Sequence, residues 1–345
     1  MKTILITGGA GFIGKNLISR LIKYHIDLST DEQSIIDLQL VIIDNFITSD
    51  KLVFNNFVKE LETSSLKSNI NINISLLYLD ICNLDFCEII KSDYPKIDEI
   101  YHLASLASPV FYKMFPLNTL DTGYIGTRNI LELSKYFGSK LLFASTSEVY
   151  GDPLTCPQTE DYYGNVNTFG SRSCYDISKR VAETLCYTYI NQFGLDIKIA
   201  RIFNTYGPQM NLHDGRIVTE VIKHLINNTT LTIYGDGRQT RSMCYVSDTV
   251  DMLLKLMDSD CNIPVNIGNN QELSINEIVD RIQKVYKTYH DKNSRNSVLD
   301  IKYIPLTEND PLKRQPCLER NTRVLGKTNY INIENGILET IKYFT

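Results

Sequence analysis

A doubly wound α/β fold, a parallel sheet covered on both faces by helices and joined to a smaller α/β lobe, is what the sequence predicts. Three observations carry that expectation. Short, continuous apolar runs alternate with helix-length segments; a glycine-rich turn links the first run to the first helix; and after Asn204 the runs shorten while turn residues multiply. Continuous apolar strands separated by helices belong to a sheet buried on both faces.

The first strand is expected over 2–7, in Lys2-Thr3-Ile4-Leu5-Ile6-Thr7, and the first helix over 12–24. Further strands are expected over 40–44, 76–80, 99–104, 140–145 and 197–203. The polar stretch 27–38 lengthens the first crossover, and 50–73, rich in Asn, Ser, Lys and Ile, reads as a second surface excursion. Beyond residue 204, a short strand over 231–234, turns at Gly207-Pro208 and Gly235-Asp236-Gly237, and a helix over 274–289 outline the second lobe. Residues 289–297 read as an exposed polar loop. The expected division is 1–203, with a return near 242–270, for the sheet domain, and 204–241 with 271–345 for the lobe.

Composition narrows the function. The 345 residues suffice for a core without covalent staples. With 35 Lys and Arg against 40 Asp and Glu, the net charge of −5 argues against a nucleic-acid partner, which needs a basic stripe. No apolar run approaches the roughly 18 residues that span a bilayer, so no membrane partner is expected. Eight cysteines are scattered without a C-x-x-C pair, which suits reduced thiols and a cytoplasmic location and implies no metal.

Gly8-Gly9-Ala10-Gly11-Phe12-Ile13-Gly14 stands between the first strand and the first helix. Glycine permits the tight turn and lets the backbone amides near Phe12 and Ile13 approach a pyrophosphate, where the helix dipole favours an anion. In a strand–turn–helix setting this is the dinucleotide fingerprint of a Rossmann domain, and Gly8, Gly11 and Gly14 are its candidate residues. The acid expected after the second strand is Asp44, followed by Asn45. It lies thirty residues past Gly14, against a usual spacing of about 20, and the polar stretch 27–38 accounts for the excess. A carboxylate there binds ribose hydroxyls and repels a 2′-phosphate, and 45–49 hold no Lys or Arg, so NAD is favoured over NADP. Asp80 and Ile81 are placed to cap the adenine; a strand-end turn aspartate is the plainer reading of Asp80.

Ser145-Thr146-Ser147-Glu148 follows the fifth expected strand, at the sheet edge where open α/β folds bind ligands. Tyr175-Asp176-Ile177-Ser178-Lys179 then opens a helical run, with Tyr175 and Lys179 one turn apart on one face. A nearby ammonium favours the phenolate, so Lys179 is expected to lower the Tyr175 pKa, while the Thr146 hydroxyl hydrogen-bonds the same substrate oxygen. The trio suits proton removal from a sugar hydroxyl coupled to hydride transfer.

These stretches resemble the extended short-chain dehydrogenases/reductases acting on nucleotide sugars, and most closely the UDP-glucuronic acid decarboxylases, or UDP-xylose synthases. The resemblance continues through Gly164-Asn165-Val166-Asn167, Arg172-Ser173-Cys174-Tyr175, Ala200-Arg201-Ile202-Phe203-Asn204, Asp214-Gly215-Arg216, Gln239-Thr240-Arg241, Tyr245-Val246-Ser247-Asp248 and Asp310-Pro311-Leu312-Lys313-Arg314. It implies oxidation of the glucuronosyl C4 by bound NAD, loss of CO₂ from the resulting β-keto acid, and return of the hydride to C4. It makes Tyr175 the C4 base, Lys179 its partner and a ligand of the nicotinamide ribose, and Thr146 the group orienting the hydroxyl. Ser147 and Glu148 match positions that assist decarboxylation and reprotonation. Arg314 matches an arginine near the sugar, where a guanidinium fork suits a carboxylate or oxyanion; a surface arginine beside Lys313 is the alternative. Asn204, Arg216 and Arg241 match contacts to the diphosphate, and Thr232 and Tyr234 lie on the strand that meets the uracil. For Arg216 a salt bridge, and for Tyr234 core packing, stay open. Leu103, Ala104 and Ala107 match the cofactor loop. A homodimer is implied, built on helices near 120–137 and 175–193. Some members carry an N-terminal membrane anchor; this chain opens on its first strand and is expected to lack one.

The resemblance also has departures. Sister 4,6-dehydratases place an Asp after the threonine and apiose/xylose synthases a cysteine, where this chain has Ser147; a 4-epimerase needs no Glu148 there. A binder that had lost its chemistry would have no use for Thr146, Tyr175 and Lys179 together. Gly123 stands where the family has asparagine, Leu106 where it has proline, and Val110-Phe111 where it has Pro-Asn. Substrate preference or rate is the property these changes touch.

Overall fold

The computed structural model describes residues 1–28, 36–65, 70–290, 299–305 and 313–345. Its first unit alternates strand and helix: β1 (Lys2–Thr7), α1 (Phe12–Leu28), β2 (Ile36–Ile43), α2 (Lys51–Ser65), β3 (Ile70–Leu77), α3 (Phe86–Asp93) and β4 (Glu99–His102). Two short helices follow, α4 (Pro109–Met114) and α5 (Pro116–Asp121), then a π-turn over Thr122–Gly126 that runs into α6 (Thr127–Phe137). Next come β5 (Lys140–Thr146), a 3₁₀ turn over Ser147–Tyr150, α7 (Ser173–Phe193), β6 (Ile197–Ile202) and β7 (Thr205–Tyr206). The remainder holds α8 (Ile217–Asn227), β8 (Leu231–Tyr234), β9 (Thr240–Ser242), β10 (Cys244–Tyr245), α9 (Val246–Asp258), β11 (Val265–Ile267) and β12 (Glu272–Ser274). It ends with α10 (Ile275–Tyr289), β13 (Ile301–Ile304), β14 (Lys313–Arg314), α11 (Glu319–Leu325) and α12 (Ile333–Phe344).

Seven strands form one sheet in the order β11-β6-β5-β4-β1-β2-β3, and every pair in it is parallel. This is the doubly wound Rossmann arrangement the sequence predicts. Ile4 and Ile6 face one core with Leu17, Ile18 and Leu21 of α1 and Leu253 and Leu256 of α9. Leu5, on the opposite face, joins Ile100, Leu141 and Phe143 against Ile130 of α6 and Ala182 and Cys186 of α7. Burying each such aliphatic side chain stabilises by about 1.5–3 kcal/mol before chain entropy is subtracted. A third core, around Val221, Ile222, Ile233, Ile278, Ile282 and Ile337, joins α8, α10 and α12 over the β8–β13 pair.

The stretch 50–73 is not a surface excursion. Phe54, Phe57, Val58 and Leu61 recur at helical spacing along α2 and pack on the sheet, and Ile72, Ile74 and Leu76 alternate along β3 toward the same core. An edge strand presents only one face to the core, so its apolar residues alternate with Asn and Ser and fail a search for continuous runs. β3 therefore ends at Leu77 and begins at Ile70, ahead of the expected 76–80. Likewise α1 reaches Leu28 and β2 starts at Ile36, leaving 29–35 of the expected 27–38 excursion outside the described residues. The expected loop 289–297 falls almost wholly on 291–298, also outside them, as do Asp310, Pro311 and Leu312.

After leaving the sheet at β6, the chain returns to it through α9 and β11. β11 pairs with β6 from Val265↔Ala200 to Ile267↔Ile202, and α11 packs against α9 and β11. Among the described residues no helix is long and apolar enough to cross a membrane.

Candidate active site

The predicted site segments leave the carboxyl ends of sheet strands or face that edge from the second lobe, apart from Tyr175 and Lys179, which α7 carries. The Gly8–Gly14 turn follows β1, Asp44 follows β2, Asp80 follows β3, Leu103 and Ala104 follow β4, Thr146 ends β5 and Asn204 follows β6. Backbone bonds lock these ends together: Gly8 N–H donates to Ile43 O at 2.8 Å and Leu103 N–H to Thr7 O at 3.1 Å. At Gly8, with φ of +68°, a Cβ would meet the backbone of Ala104 at 2.7 Å, so only glycine lets the turn lie this close to the loop after β4.

Two cavities open at this edge. One of about 730 Å³ is lined by Gly8, Gly11, Phe12, Ile13, Gly14, Asp44, Asn45, Asp80, Ile81 and Ala104. The other, of about 830 Å³, is lined by Thr146, Ser147, Glu148, Tyr175, Lys179, Asn204, Thr232, Tyr234, Arg241 and Arg314. They meet along Ile13, Leu103, Ala107 and Arg216, which line both. The structure thus brings every predicted site residue to one continuous cleft.

The first cavity fits a dinucleotide. The opening amides of α1 have no acceptor within the helix by position, and Phe12 and Ile13 line this cavity. Asp44 braces the turn, accepting from Ala10 N–H at 3.0 Å, Phe46 N–H at 2.9 Å and Ser49 Oγ at 3.0 Å. Burial raises its pKa while those three hydrogen bonds oppose the rise. Asp80 accepts from Asn45 Nδ2 at 2.8 Å and from Cys82 N–H at 2.8 Å, so it closes a strand-end turn and joins the wall as well.

In the second cavity Tyr175 lies 5% exposed. Tyr112 stacks on it at 5.2 Å between centroids and 7° between planes, and Leu106 packs in the same cluster. Burial pushes the phenol far above its ordinary value, and a hydrogen bond with Thr146 pulls the other way. Lys179 does not act as the spacing suggests: its Nζ donates to Ala144 O at 2.8 Å, 5.9 Å from the Tyr175 ring centroid. Burial drops its own pKa to about 8. Burial, not Lys179, thus dominates the Tyr175 pKa, and Lys179 is not among the groups that lower it.

Glu148 is held by two arginines. Arg172 Nη2 donates to its Oε2 at 2.6 Å and Arg314 Nη2 at 3.0 Å, while Arg314 Nη1 donates to Ser147 O at 2.6 Å. Burial alone would raise the Glu148 pKa, but Arg314 and Arg172 together hold it below the usual carboxylate range. Arg314, only 2% exposed, is no surface arginine. Tyr234, at 48% exposed, is a cavity residue rather than core. Arg216 keeps both roles, pairing with Asp214 at 2.5 Å while lining the two cavities. The Asn204 side-chain Nδ2 is buried without a hydrogen-bond partner, on a residue that lines this cavity.

Two contributors escaped the sequence reading. Arg172 stands one turn before Tyr175, a spacing that could have found it. Tyr112 arrives on the short helix α4 with no local signal. Behind the site, Glu183 of α7 accepts from Arg201 at 2.9 and 2.8 Å and from Ser145 at 2.5 Å, tying α7 to β5 and β6.

Comparison with known proteins agrees with this geometry. Residues 4–268 match the NAD dependent epimerase/dehydratase family. The chain is 40% identical over 344 residues to UDP-glucuronic acid decarboxylase 1 of Danio rerio, covering 100% of this chain and 73% of that protein. It is 41% identical over 335 residues to UDP-glucuronic acid decarboxylase 6 of Arabidopsis thaliana, covering 97% and 86%. Among solved structures, UDP-glucuronic acid 4-epimerase from Bacillus cereus in complex with UDP-glucuronic acid and NAD superposes with a TM-score of 0.80 at 25% identity, covering 99% of this chain and 98% of that one. UDP-glucose 4-epimerase from Thermotoga maritima, with a TM-score of 0.81 at 24% identity and the same coverage, shares the fold. With its dinucleotide turn, its Tyr175–Lys179 helix and these relatives, the chain belongs to the NAD dependent epimerase/dehydratase family.

Proposed function

We propose that this protein is an NAD-dependent UDP-glucuronate decarboxylase, converting UDP-glucuronate to UDP-xylose and CO₂. The observation that carries the reading is Glu148, clamped by Arg172 and Arg314 on the wall of the cavity that Tyr175 also lines. Family membership and the decarboxylases among the relatives support it.

NAD, when bound along the Gly8–Gly14 turn and Asp44, would supply the acceptor and then the donor for the hydride at the sugar C4. Tyr175 accepts the C4 hydroxyl proton, and Thr146 steadies the phenolate oxygen by its hydrogen bond. Lys179 holds the ribose side of the cleft. With a ketone at C4, the carboxylate on C5 is a β-keto acid: the C5–carboxyl bond breaks, CO₂ leaves, and its electron pair passes into an enolate. The protonated Tyr175 donates to the enolate oxygen, Arg314 adds a fixed positive charge, and Ser147 and Glu148 stand where a proton is delivered to C5. Tyr175 gives its proton back as C4 is reduced. Asn204, Arg216 and Arg241 bind the diphosphate, and Thr232 and Tyr234 face the uracil.

A homodimer in the cytoplasm completes the proposal. Exposed Leu117, Leu120, Tyr124 and Ile125 along α5 and the π-turn, with Tyr187 on α7, support the dimer, and eight free cysteines suit a reducing compartment.

The test is incubation of the purified protein with UDP-glucuronate, without added NAD, followed by NMR and mass analysis of the products. UDP-xylose with loss of CO₂ is expected; a 4-epimer, a 4-keto or branched sugar, or no reaction even with added NAD overturns the reading.

A further inference from the structure

The chemistry above leaves one buried acid without a task. Asp176 follows Tyr175 directly in the first turn of α7, is 7% exposed, and has an Oδ1 with no hydrogen-bond partner. It is absent from the walls of both cavities, so it stands behind the site. A bare carboxylate oxygen in such a place is costly, and a neutral one much less so. The charges around it are Glu148 from the 3₁₀ turn packed on α7, Arg172 just before α7, Arg314 from β14 and Arg180 one turn along α7; Tyr175 is its titratable neighbour. Burial and then Glu148 push its pKa up to about 7, against the pull of the three arginines.

The proposed reaction has a proton count that Tyr175 cannot meet. Tyr175 takes one proton from the C4 hydroxyl and returns it, and hydride leaves and re-enters C4. Decarboxylation is different: a carboxylate departs as CO₂, and the carbon left with the electron pair takes one proton. Each turnover therefore consumes a proton. The sugar carboxylate also brings a further negative charge to a site already holding Glu148 and Asp176, and a like charge favours the protonated form of a neighbouring acid.

We propose that Asp176 and Glu148 act as one carboxyl pair that takes a proton from solvent as the anionic sugar enters, Asp176 storing it and Glu148, the member on the cavity wall, passing it to C5. Asp176 acts through Glu148 and is thus a positioning residue. This inference rests on the decarboxylase reading.

The test uses the protein with NAD supplied and the Tyr175→Phe substitution, chosen to stop turnover by removing the C4 base. UDP-glucuronate is added in weakly buffered solution containing a pH indicator. About half a proton per site is expected at pH 7, rising toward about one at pH 8, because the group is half protonated near its pKa when free. UDP-xylose, which lacks the carboxylate, should give none. Adding Asp176→Asn should abolish the uptake, and Asp176→Glu should keep it. In otherwise unsubstituted protein, Asp176→Asn should also flatten the dependence of kcat on pH between about 6 and 8. Binding without uptake, or uptake that survives Asp176→Asn, as it would if Lys179 were the group titrating, overturns the pairing while leaving the decarboxylase reading intact. Failure of the unsubstituted protein to turn over UDP-glucuronate overturns both.

Discussion

Glu148 shows what single residues contribute. Its half-buried carboxylate is kept charged chiefly by the Arg314 and Arg172 guanidinium groups, with Arg241 adding to them. Arg314→Gln removes one of them and the donor to Ser147 O; kcat for UDP-glucuronate should fall by about 10²-fold or more, measured as UDP-xylose formed per unit time. A drop below threefold would remove Arg314 from the chemistry. Asp176 gives a stability signature of its own. Its folded pKa of about 7 lies above the unfolded value, so the folded state binds more protons and stability is lost as pH rises from about 4 through about 7. Asp176→Asn should therefore melt at a higher temperature than the parent at pH 8, with the gap closing by about pH 4. Melting curves across that range decide it, and an equal gap at both ends would contradict the assignment.

Among the elements, the π-turn between α5 and α6 explains one departure from the family pattern. Gly123 is buried in it, and a Cβ there would lie 2.4 Å from Ser178 Cβ and 2.9 Å from Ser178 Cα on α7. The asparagine of the family pattern thus has no room while α7 carries Ser178 here. Gly123→Ala should cost about 1–3 kcal/mol in denaturant unfolding. Ser178→Gly in the same chain should recover only part, since the α7 backbone remains close. Full additivity of the two changes would show that they do not touch. The other departures have similar local reasons: Leu106 is buried with Tyr112 and Tyr175, whereas Val110 is 40% exposed and lines the sugar cavity. Ser108 ties that loop to the second lobe by donating to Asp214 O at 2.7 Å.

Taken whole, the molecule leaves an apolar stripe uncovered on the side of α5, the π-turn and α7, with Leu117 73% and Tyr187 67% exposed. Light scattering after gel filtration should give twice the chain mass, and Leu120→Glu with Tyr124→Glu should give one chain mass with an unchanged circular dichroism spectrum. A single-chain mass for the unsubstituted protein would refute the dimer.

What the sequence determined by itself was what local spacing encodes. The glycine turn, the strand-end Thr146-Ser147-Glu148 and the Tyr175–Lys179 turn of helix each place chemistry from neighbours a few residues apart, and all reach one cleft. Continuous strands were legible because both faces are buried; only the end of β3 was legible, because an edge strand is apolar on one face only, and α2 was hidden in the same polar stretch. What the tertiary structure alone decided came from distance along the chain. Arg314 closes on Glu148 across 166 residues, Tyr112 stacks on Tyr175 from α4, and the Tyr175 and Lys179 pKa values follow burial rather than spacing. Desolvation depends on everything packed around a group, and no local pattern of residues carries that sum.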